Sequence, residues 1–401
     1  MPKLVADRPL LTMTSELGAV MAAAKAREAA GERVLHLERG EPDFETPPHV
    51  VEARAAAARA GDTHYPDSRG ALAFREALAA KLARENGLAT HVDDIVVTDG
   101  GTHGLFLAFQ CLMSAGDELL VLSPHWMAIP KLVGFVAGAT YRTLPAYLDL
   151  QSGALDAAGF ADRLRSALRP ETKGVYLNSP NNPTGVVLGR EQLEAIATVA
   201  RERDLWVISD EAYEHLLFDG AKHVSLGSLP GMAERTVSVY TFSKSYAMTG
   251  WRLGYVVSPP AMRATMGPIL NFYTTHGVFN SVQAAGRAAV TGDQSCVETM
   301  RRAYEERRNL LVEGLAGQGA VRVPVPQGAF YAFANVAGAR NGRDVWELVR
   351  EWLAIGVAVL PGTAFGPGYD DWVRLSLATR RDDVAEAARR LREHPLAGAR
   401  G

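Results

Sequence analysis

The 401-residue chain is longer than one hydrophobic core usually serves, so we expect one large domain and one smaller domain. Its formal net charge of -3 provides no basic surface field, which excludes nucleic acid as an expected partner. The two cysteines, Cys111 and Cys296, lie far apart in the sequence. This spacing argues against a disulfide framework or a thiolate metal site and favours a reducing compartment with no bound metal.

The N-terminal region contains an eight-residue apolar run, "LGAVMAAA", between Glu16 and Lys25. These flanking charges favour an amphipathic helix over a secretion signal. The sequence contains no apolar stretch long enough to cross a bilayer. We therefore expect a soluble, cytoplasmic protein with no membrane partner.

Short apolar runs alternate with alanine-rich helical periods along most of the chain. The runs predict strands over 94–100, 118–124, 174–180, 205–211, 236–244 and 252–258. The helical periods predict helices over 72–85, 104–113, 190–203 and 294–314. This alternation is typical of βαβ units and predicts an α/β fold with a mostly parallel sheet flanked by helices.

Polar or aromatic groups follow most of the predicted strands, in the turns "GGTHG", "SPHW", "SPNNPTG", "DEAY" and "FSK". Ligands of open α/β sheets bind outside the carboxyl ends of the strands. The turns therefore predict a binding site at that edge of the sheet.

One group of these residues suits a phosphate. Gly100 and Gly101 precede Thr102 and a predicted helix, so backbone amides would lie at a positive helix end. The guanidinium of Arg252 can hold a phosphate by two parallel hydrogen bonds, and Ser243 can add a third donor. Taken singly, each feature has a structural alternative, which is a glycine turn or a solvent-facing arginine.

A second group suits a flat, nitrogen-containing ring. Asp210 ends the apolar run "LWVIS", where a carboxylate is poorly solvated unless it has a partner such as a protonated pyridine nitrogen. Tyr213 and Asn182 can bond a ring hydroxyl, and Trp126 can stack on the ring. The alternatives are a helix-capping aspartate, a turn asparagine and a core tryptophan.

Lys244 lies in "TFSKSYAMTGWRLGY", a stretch that otherwise has the character of a buried segment. It is either a surface lysine with its stem along apolar neighbours or a desolvated nucleophile that forms a Schiff base with an aldehyde. An amine, a phosphate clamp, a pyridinium partner, a ring stacker and hydroxyl donors together predict pyridoxal 5'-phosphate as cofactor.

With these residues in view, the chain closely resembles the fold-type I, class I/II aminotransferases, the aspartate aminotransferase-like family of pyridoxal phosphate enzymes. The resemblance rests on a set of motifs spread over nearly the whole chain: "GEPDFETPPHV", "NSPNNPTG", "SDEAYEHLLF", "SKSYAMTGWRLGY", "GAFYAF", "GVAVLPGTAFG" and "VRLSLA". It implies transfer of an amino group from an L-amino acid to a 2-oxo acid. It also implies a large cofactor domain over 45–290, with residues 1–44 joining a small α+β domain over 291–401.

The resemblance further implies roles for individual residues. Lys244 is expected to be the Schiff-base lysine and proton carrier, and catalysis is assigned to Lys244, Asp210 and Tyr213. The implied cofactor contacts are Gly101, Thr102, Trp126, Asn182, Asp210, Tyr213, Ser243, Lys244, Arg252 and Tyr65. Tyr65 is expected to act from the neighbouring subunit of a homodimer with shared active sites. The implied substrate contacts are Gly40, Asn182, Arg39 and Arg374, which binds the α-carboxylate.

Two positions bear on the choice of substrate. Thr102 stands where some aspartate-specific relatives carry a lysine, and Arg39 stands where relatives usually have a small or apolar residue. Arg39 is either a solvent-facing arginine or a selector for an acidic side chain. Glu16 either pairs with Arg39 or meets a cationic substrate.

Two other functions are compatible with the same cofactor residues. One is a related pyridoxal phosphate enzyme that catalyses elimination, replacement, carbon–carbon bond formation or oxidation of an amino acid. The other is a non-catalytic pyridoxal phosphate-sensing domain, which is disfavoured because no DNA-binding extension precedes the family motifs.

Overall fold

The computed structural model describes residues 15–134, 136, 138–274, 276–317 and 320–394, and these form an α/β fold. The strands are β1 (Leu35–His36), β2 (Ile95–Thr98), β3 (Glu118–Ser123), β4 (Thr140–Pro145), β5 (Thr172–Asn178), β6 (Trp206–Asp210), β7 (Thr236–Thr241), β8 (Gly254–Val257), β9 (Tyr331–Asn335), β10 (Val357–Ala358), β11 (Leu360–Pro361) and β12 (Trp372–Ser376). The helices are α1 (Glu16–Ala29), α2 (Pro48–Arg59), α3 (Leu72–Lys81), α4 (Gly101–Leu112), α5 (Ile129–Gly134), α6 (Tyr147–Ser152), α7 (Ala157–Ala167), α8 (Arg190–Glu202), α9 (Phe242–Ser245), α10 (Arg263–Thr274), α11 (Asn280–Thr291), α12 (Ser295–Leu315), α13 (Ala337–Arg340), α14 (Val345–Ala354) and α15 (Arg381–Glu393).

Seven of the described strands form the central sheet, in the spatial order β2-β8-β7-β6-β5-β3-β4. Strand β8 runs antiparallel to both of its neighbours, and the other pairs are parallel. The predicted mostly parallel sheet is therefore confirmed, as are its six predicted strands. The sequence reading missed β4, because this edge strand is largely exposed and carries no continuous apolar run.

Alternate residues of the central strands pack into cores on opposite faces of the sheet. Val175 and Leu177 of β5 join a core with helices α7 and α8, whereas Tyr176 joins a core with helices α4, α5 and α10. Because successive side chains of a strand point to opposite faces, the strand sequence is apolar on both sides. The predicted helices therefore cover both faces of the sheet.

One helical prediction differs from the structure in detail, and another agrees with it. The helix predicted over 72–85 ends as α3 at Lys81 and continues as a π-helical turn to Asn86, where Gly87 adopts a φ of 65°. Helix α1 agrees with the amphipathic helix predicted at the N-terminal apolar run, and Ser15 caps it by accepting from the amide of Gly18 at 3.2 Å. None of the described helices has the length and apolar character needed to cross a membrane.

A separate core joins the two ends of the described chain. Strands β11, β12 and β9 form an antiparallel sheet, and β1 pairs in parallel with β10 through Leu35 and Val357. Residues of α1, α12, α14 and α15 share this core with these strands. This packing brings the segment after β1 to the carboxyl edge of the central sheet.

Candidate active site

A cavity of about 780 Å³ lies at the carboxyl ends of β5, β6 and β7. Every predicted site residue except Tyr65 lines this cavity: Arg39, Gly40, Gly101, Thr102, Trp126, Asn182, Asp210, Tyr213, Ser243, Lys244, Arg252 and Arg374. The cavity is therefore lined by residues from both the N-terminal and the C-terminal parts of the described chain. The cavity lies beside the turns that follow the strands, where the sequence predicts a binding site.

Lys244 lies on the short helix α9, which begins directly after β7. The hydroxyl of Thr241 accepts from the amide of Ser243 at the start of this helix. The Nζ of Lys244 donates to the carbonyl of Gly40 at 2.6 Å. Burial, reinforced by the positive charge of Arg374, lowers the pKa of Lys244 to about 8. About a tenth of this amine is therefore uncharged and nucleophilic at pH 7, far more than for an ordinary lysine.

Asp210 is the last residue of β6, and its side chain is buried in the same cavity. Its Oδ2 accepts from the phenol of Tyr176 at 2.9 Å, and its Oδ1 accepts from the amide of Ala212 at 3.2 Å. Burial raises the pKa of this carboxyl to about 6, against the effect of the two hydrogen bonds. A positively charged ring nitrogen in the cavity would favour the ionised form.

The N-terminus of α4 and the guanidinium of Arg252 form a positively charged end of the cavity. No side chain caps α4, and Gly100, which precedes it, has a φ of 86°. A Cβ on Gly100 would lie 2.5 Å from Nη2 of Arg252, so only glycine allows this approach. Arg252 is held in place because it donates to the carbonyls of Thr249 at 2.8 Å and Asp99 at 2.9 Å. The amides and the guanidinium suit a phosphate.

Arg374 on β12 is a buried cation at another wall of the cavity, with a side-chain exposure of 2%. It donates to the carbonyl of Glu38 at 2.6 Å and to Oδ1 of Asn182 at 3.1 Å. Its guanidinium lies 4.3 Å from the ring centroid of Tyr331. The buried Nε has no partner, and no described carboxylate forms an ion pair with this arginine. Burial also lowers its pKa. A carboxylate ligand would supply the missing counter-charge.

Tyr213 and Tyr331 link the two sides of the cavity, with their hydroxyl oxygens 3.1 Å apart. Asn182 follows β5 in a turn in which its amide donates to Oδ1 of Asn178 at 2.7 Å. The sequence reading assigned no role to Tyr331 or Tyr176. The only available signal for Tyr331 was its place in the motif "GAFYAF", and nothing in the sequence distinguished Tyr176 from a core tyrosine.

The structure gives the surroundings of Glu16 and Tyr65. Glu16 does not pair with Arg39, because its Oε1 accepts from the hydroxyl of Thr363 at 3.1 Å. Burial raises the pKa of Glu16. Tyr65 lies outside the cavity, is 77% exposed, and packs its ring against that of His276.

Arg39 has other partners. Its Nε lies 3.4 Å from Oε1 of the buried Glu38, and its Nη2 lies 3.2 Å from Nε2 of His36. The sequence reading overlooked Glu38 because it precedes Arg39 directly and carries no motif. The predicted alternative of a Glu16–Arg39 pair is therefore wrong.

Comparison with known proteins places the chain among aminotransferases. Residues 32–391 match the profile of the family described as aminotransferase class I and II. The chain is 40% identical to the aspartate/prephenate aminotransferase of Thermus thermophilus over 381 residues, which cover 93% of this chain and 94% of the relative. It is 37% identical to an arginine–pyruvate transaminase of Pseudomonas aeruginosa over 369 residues, which cover 92% of this chain and 91% of the relative. The structure of the Thermus thermophilus aspartate aminotransferase with maleate superimposes with a TM-score of 0.87, 37% identity, and coverage of 97% of this chain and 98% of that one.

Proposed function

The chain belongs to the class I and II aminotransferases, and from this premise we propose that Lys244, Asp210 and Tyr213 perform its catalysis. The enzyme transfers amino groups between amino acids and 2-oxo acids, and its family uses pyridoxal 5'-phosphate. The observation that carries the assignment is the pairing of a buried lysine of lowered pKa with a buried arginine that lacks an acidic partner. An amino acid offers an amino group to the first and a carboxylate to the second.

The residues of the cavity fit pyridoxal 5'-phosphate. The uncapped amides of α4 and the guanidinium of Arg252, with Thr102 and Ser243, would hold the phosphate. Trp126 would stack on the ring, and Asp210 would pair with the pyridine nitrogen. The side chains of Tyr213 and Asn182 would bond the ring hydroxyl. When bound, the cofactor supplies the carbonyl carbon that takes up the amino group and a ring that stabilises a carbanion.

Side chains of the protein would orient the substrate and transfer the proton. Arg374 would bind and orient the substrate α-carboxylate by two parallel hydrogen bonds, in place of its present bond to the carbonyl of Glu38. Lys244 would attach the cofactor and then, as a neutral amine, move a proton between the substrate Cα and the cofactor C4'. The lowered pKa of Lys244 supports this role, because a charged ammonium cannot accept that proton.

A homodimer with shared active sites completes the proposal. Tyr65, the residue assigned to the neighbouring active site, is highly exposed. Phe272, Tyr273 and Phe279 are also exposed, by 83%, 53% and 78%. Exposed large aromatic side chains mark protein contact surfaces. The division into a large domain over 45–290 and a small domain built from 1–44 and 291–401 is supported by the separate core around β9 and β12. A cytoplasmic site of action is supported by the two unpaired cysteines.

Covalent labelling tests the central assignment. Borohydride should fix the cofactor to the purified, cofactor-loaded protein, and peptide mapping should find the pyridoxyl group on Lys244. Lys244→Ala should keep the circular dichroism of the parent and lose amino transfer, whereas Lys222→Ala, at an exposed lysine outside the cavity, should behave as the parent. A label on a different lysine would overturn the assignment. Release of ammonia without amination of an acceptor 2-oxo acid would favour elimination instead.

A further inference from the structure

One backbone segment fixes where a substrate side chain would lie. The carbonyl of Glu38 accepts from Arg374 at 2.6 Å, and the carbonyl of Gly40 accepts from Lys244 at 2.6 Å. If Arg374 binds the α-carboxylate and Lys244 acts at the amino group, residues 38–41 run beside the substrate α-carbon. The lining residues that neighbour this segment therefore decide which side chain fits.

The two charged side chains of this segment that line the cavity have opposite signs and existing partners. The guanidinium of Arg39 lies 3.4 Å from the carboxylate of Glu38 and 3.2 Å from the ring of His36. The carboxylate of Glu41 accepts from the hydroxyl of Thr249. An acidic substrate side chain beside Arg39 would therefore share it with Glu38 and lie near Glu41. A basic side chain would meet the positive charge of Arg39.

The other positively charged side chains that line the cavity are assigned to other groups of the substrate and the cofactor. Lys244 and Arg374 serve the amino and carboxylate groups under the proposed function, and Arg252 lies at the phosphate end. Arg39 is the remaining arginine or lysine among the described lining residues, and its side chain is 48% exposed. The described part of the cavity thus offers no free buried cation to a second carboxylate.

Apolar side chains also line this cavity. Leu17 and Met21 belong to α1, and Met127 directly follows Trp126 in the sequence. Burial of apolar surface against such a wall contributes about 25 cal/mol per Å². Methionine side chains also adapt to ligands of different shape, because they are unbranched and flexible.

We infer that this site selects amino acids with an uncharged, largely apolar side chain, such as methionine, leucine or phenylalanine, over aspartate, glutamate or arginine. The inference rests on the proposed function. Leu17, Met21 and Met127 are the specificity-determining residues, and Arg39 is a wall residue that binds no substrate carboxylate, because Glu38 already pairs with it.

The half-reaction tests this inference without any choice of acceptor. Each amino acid is mixed with the cofactor-loaded enzyme, and the second-order rate constant is taken from the change in cofactor absorbance. Methionine, leucine and phenylalanine should react at least about 10-fold faster than aspartate, glutamate and arginine. A rate constant for aspartate or arginine equal to or above that of the neutral amino acids would overturn the inference. An absence of reaction with every amino acid would overturn the proposed function as well.

Two variants separate the apolar wall from the charged segment. Met21→Ser, at a position 44% exposed, should lower the rate constants for methionine and phenylalanine several-fold. The rate constant for the smaller substrate alanine should stay nearly unchanged. Val325→Ser, 50% exposed and outside the cavity, is the matched control and should change no rate constant. Arg39→Gln should leave the ratio of methionine to aspartate unchanged. The inference would be contradicted if Arg39→Gln lowered the rate constant for aspartate alone. It would also be contradicted if Met21→Ser lowered the rate constants for alanine and methionine equally.

Discussion

The phenol of Tyr176 donates a 2.9 Å hydrogen bond to Oδ2 of Asp210, and both side chains are buried in the central sheet. This bond lowers the pKa of a carboxyl that burial raises to about 6. In Tyr176→Phe the pKa of Asp210 should therefore rise, and the carboxyl should become protonated at higher pH. As the pH is lowered, the cofactor affinity of this variant should begin to fall at a higher pH than that of the parent. Tyr255→Phe is the control, because the buried hydroxyl of Tyr255 has no partner, and an unchanged pH profile in Tyr176→Phe would contradict the role of this bond.

Asp210→Asn tests the charge itself. The amide keeps the shape of the side chain but gives the cofactor ring no counter-charge. Loss of one charge-assisted contact of about 1.5–3 kcal/mol corresponds to roughly 10- to 100-fold slower turnover. Steady-state kcat with a saturating amino donor measures the effect. Turnover equal to that of the parent would exclude Asp210 as the electrostatic partner of the ring.

Arg374→Lys tests recognition of the α-carboxylate. A lysine retains the positive charge but cannot form two parallel hydrogen bonds or stack on Tyr331 as the planar guanidinium does. The KM for amino acids should rise at least about 10-fold, while the absorbance of the bound cofactor stays intact. Arg302→Lys, at a side chain 73% exposed, controls for the substitution itself. Loss of bound cofactor in Arg374→Lys would instead assign this arginine to the cofactor.

A buried ion pair beneath the active-site turn should dominate acid stability. Lys81 donates to Glu214 at 2.6 Å, and Asn86 donates to the second oxygen of the same carboxylate at 2.7 Å. Burial alone would raise the pKa of Glu214, but the charge of Lys81, two nearby histidines and the hydrogen bond from Asn86 together outweigh burial and lower the pKa to about 2. The stabilisation is therefore complete above the ordinary pKa near 4.5 and is lost as the pH falls through about 2.

In Glu214→Gln the buried ammonium of Lys81 loses its hydrogen-bonded counter-charge at 2.6 Å and keeps only the more distant carboxylate of Glu85, at 3.8 Å. The free energy of unfolding at pH 7 should fall by about 3–5 kcal/mol. Urea denaturation should show that the difference from the parent shrinks as the pH is lowered from 5 towards 2. A difference that is independent of pH over this range would mean that the charge of Glu214 contributes nothing to stability.

Hybrid dimers test whether Tyr65 acts in the neighbouring active site. Tyr65→Phe and Lys244→Ala should each lower activity in homodimers. In a mixed dimer, the Tyr65→Phe subunit keeps Lys244 and receives an intact Tyr65 from its partner, so one complete site is restored. Mixing the two inactive or impaired variants should therefore raise activity well above the sum of the separate proteins. No gain after verified subunit exchange would contradict a shared site.

The sequence was sufficient for the residues that follow strands and failed where contacts depend on distant packing. Lys244 lies directly after β7 and Asp210 ends β6, so the position of each relative to a strand indicated where they lie. Tyr176 lies within a strand, so only the sheet register reveals that it reaches Asp210. The predicted pairing of Glu16 with Arg39 was wrong for a related reason. Glu16 accepts a hydrogen bond from Thr363, which lies more than three hundred residues away in the sequence.

The pairing of β1 with β10 also bears on the order in which the enzyme is made. Strands β2 to β8 emerge from the ribosome before β10 exists, so the central sheet can assemble first while β1 has no partner. Leu35 has no strand partner until Val357 is made, and the carbonyl of Glu38 has no donor until Arg374 is made. A nascent chain stopped before residue 357 would carry Lys244, Arg252 and the N-terminus of α4. It would still lack both Arg374 and the anchoring of the backbone segment that joins this arginine to the lysine.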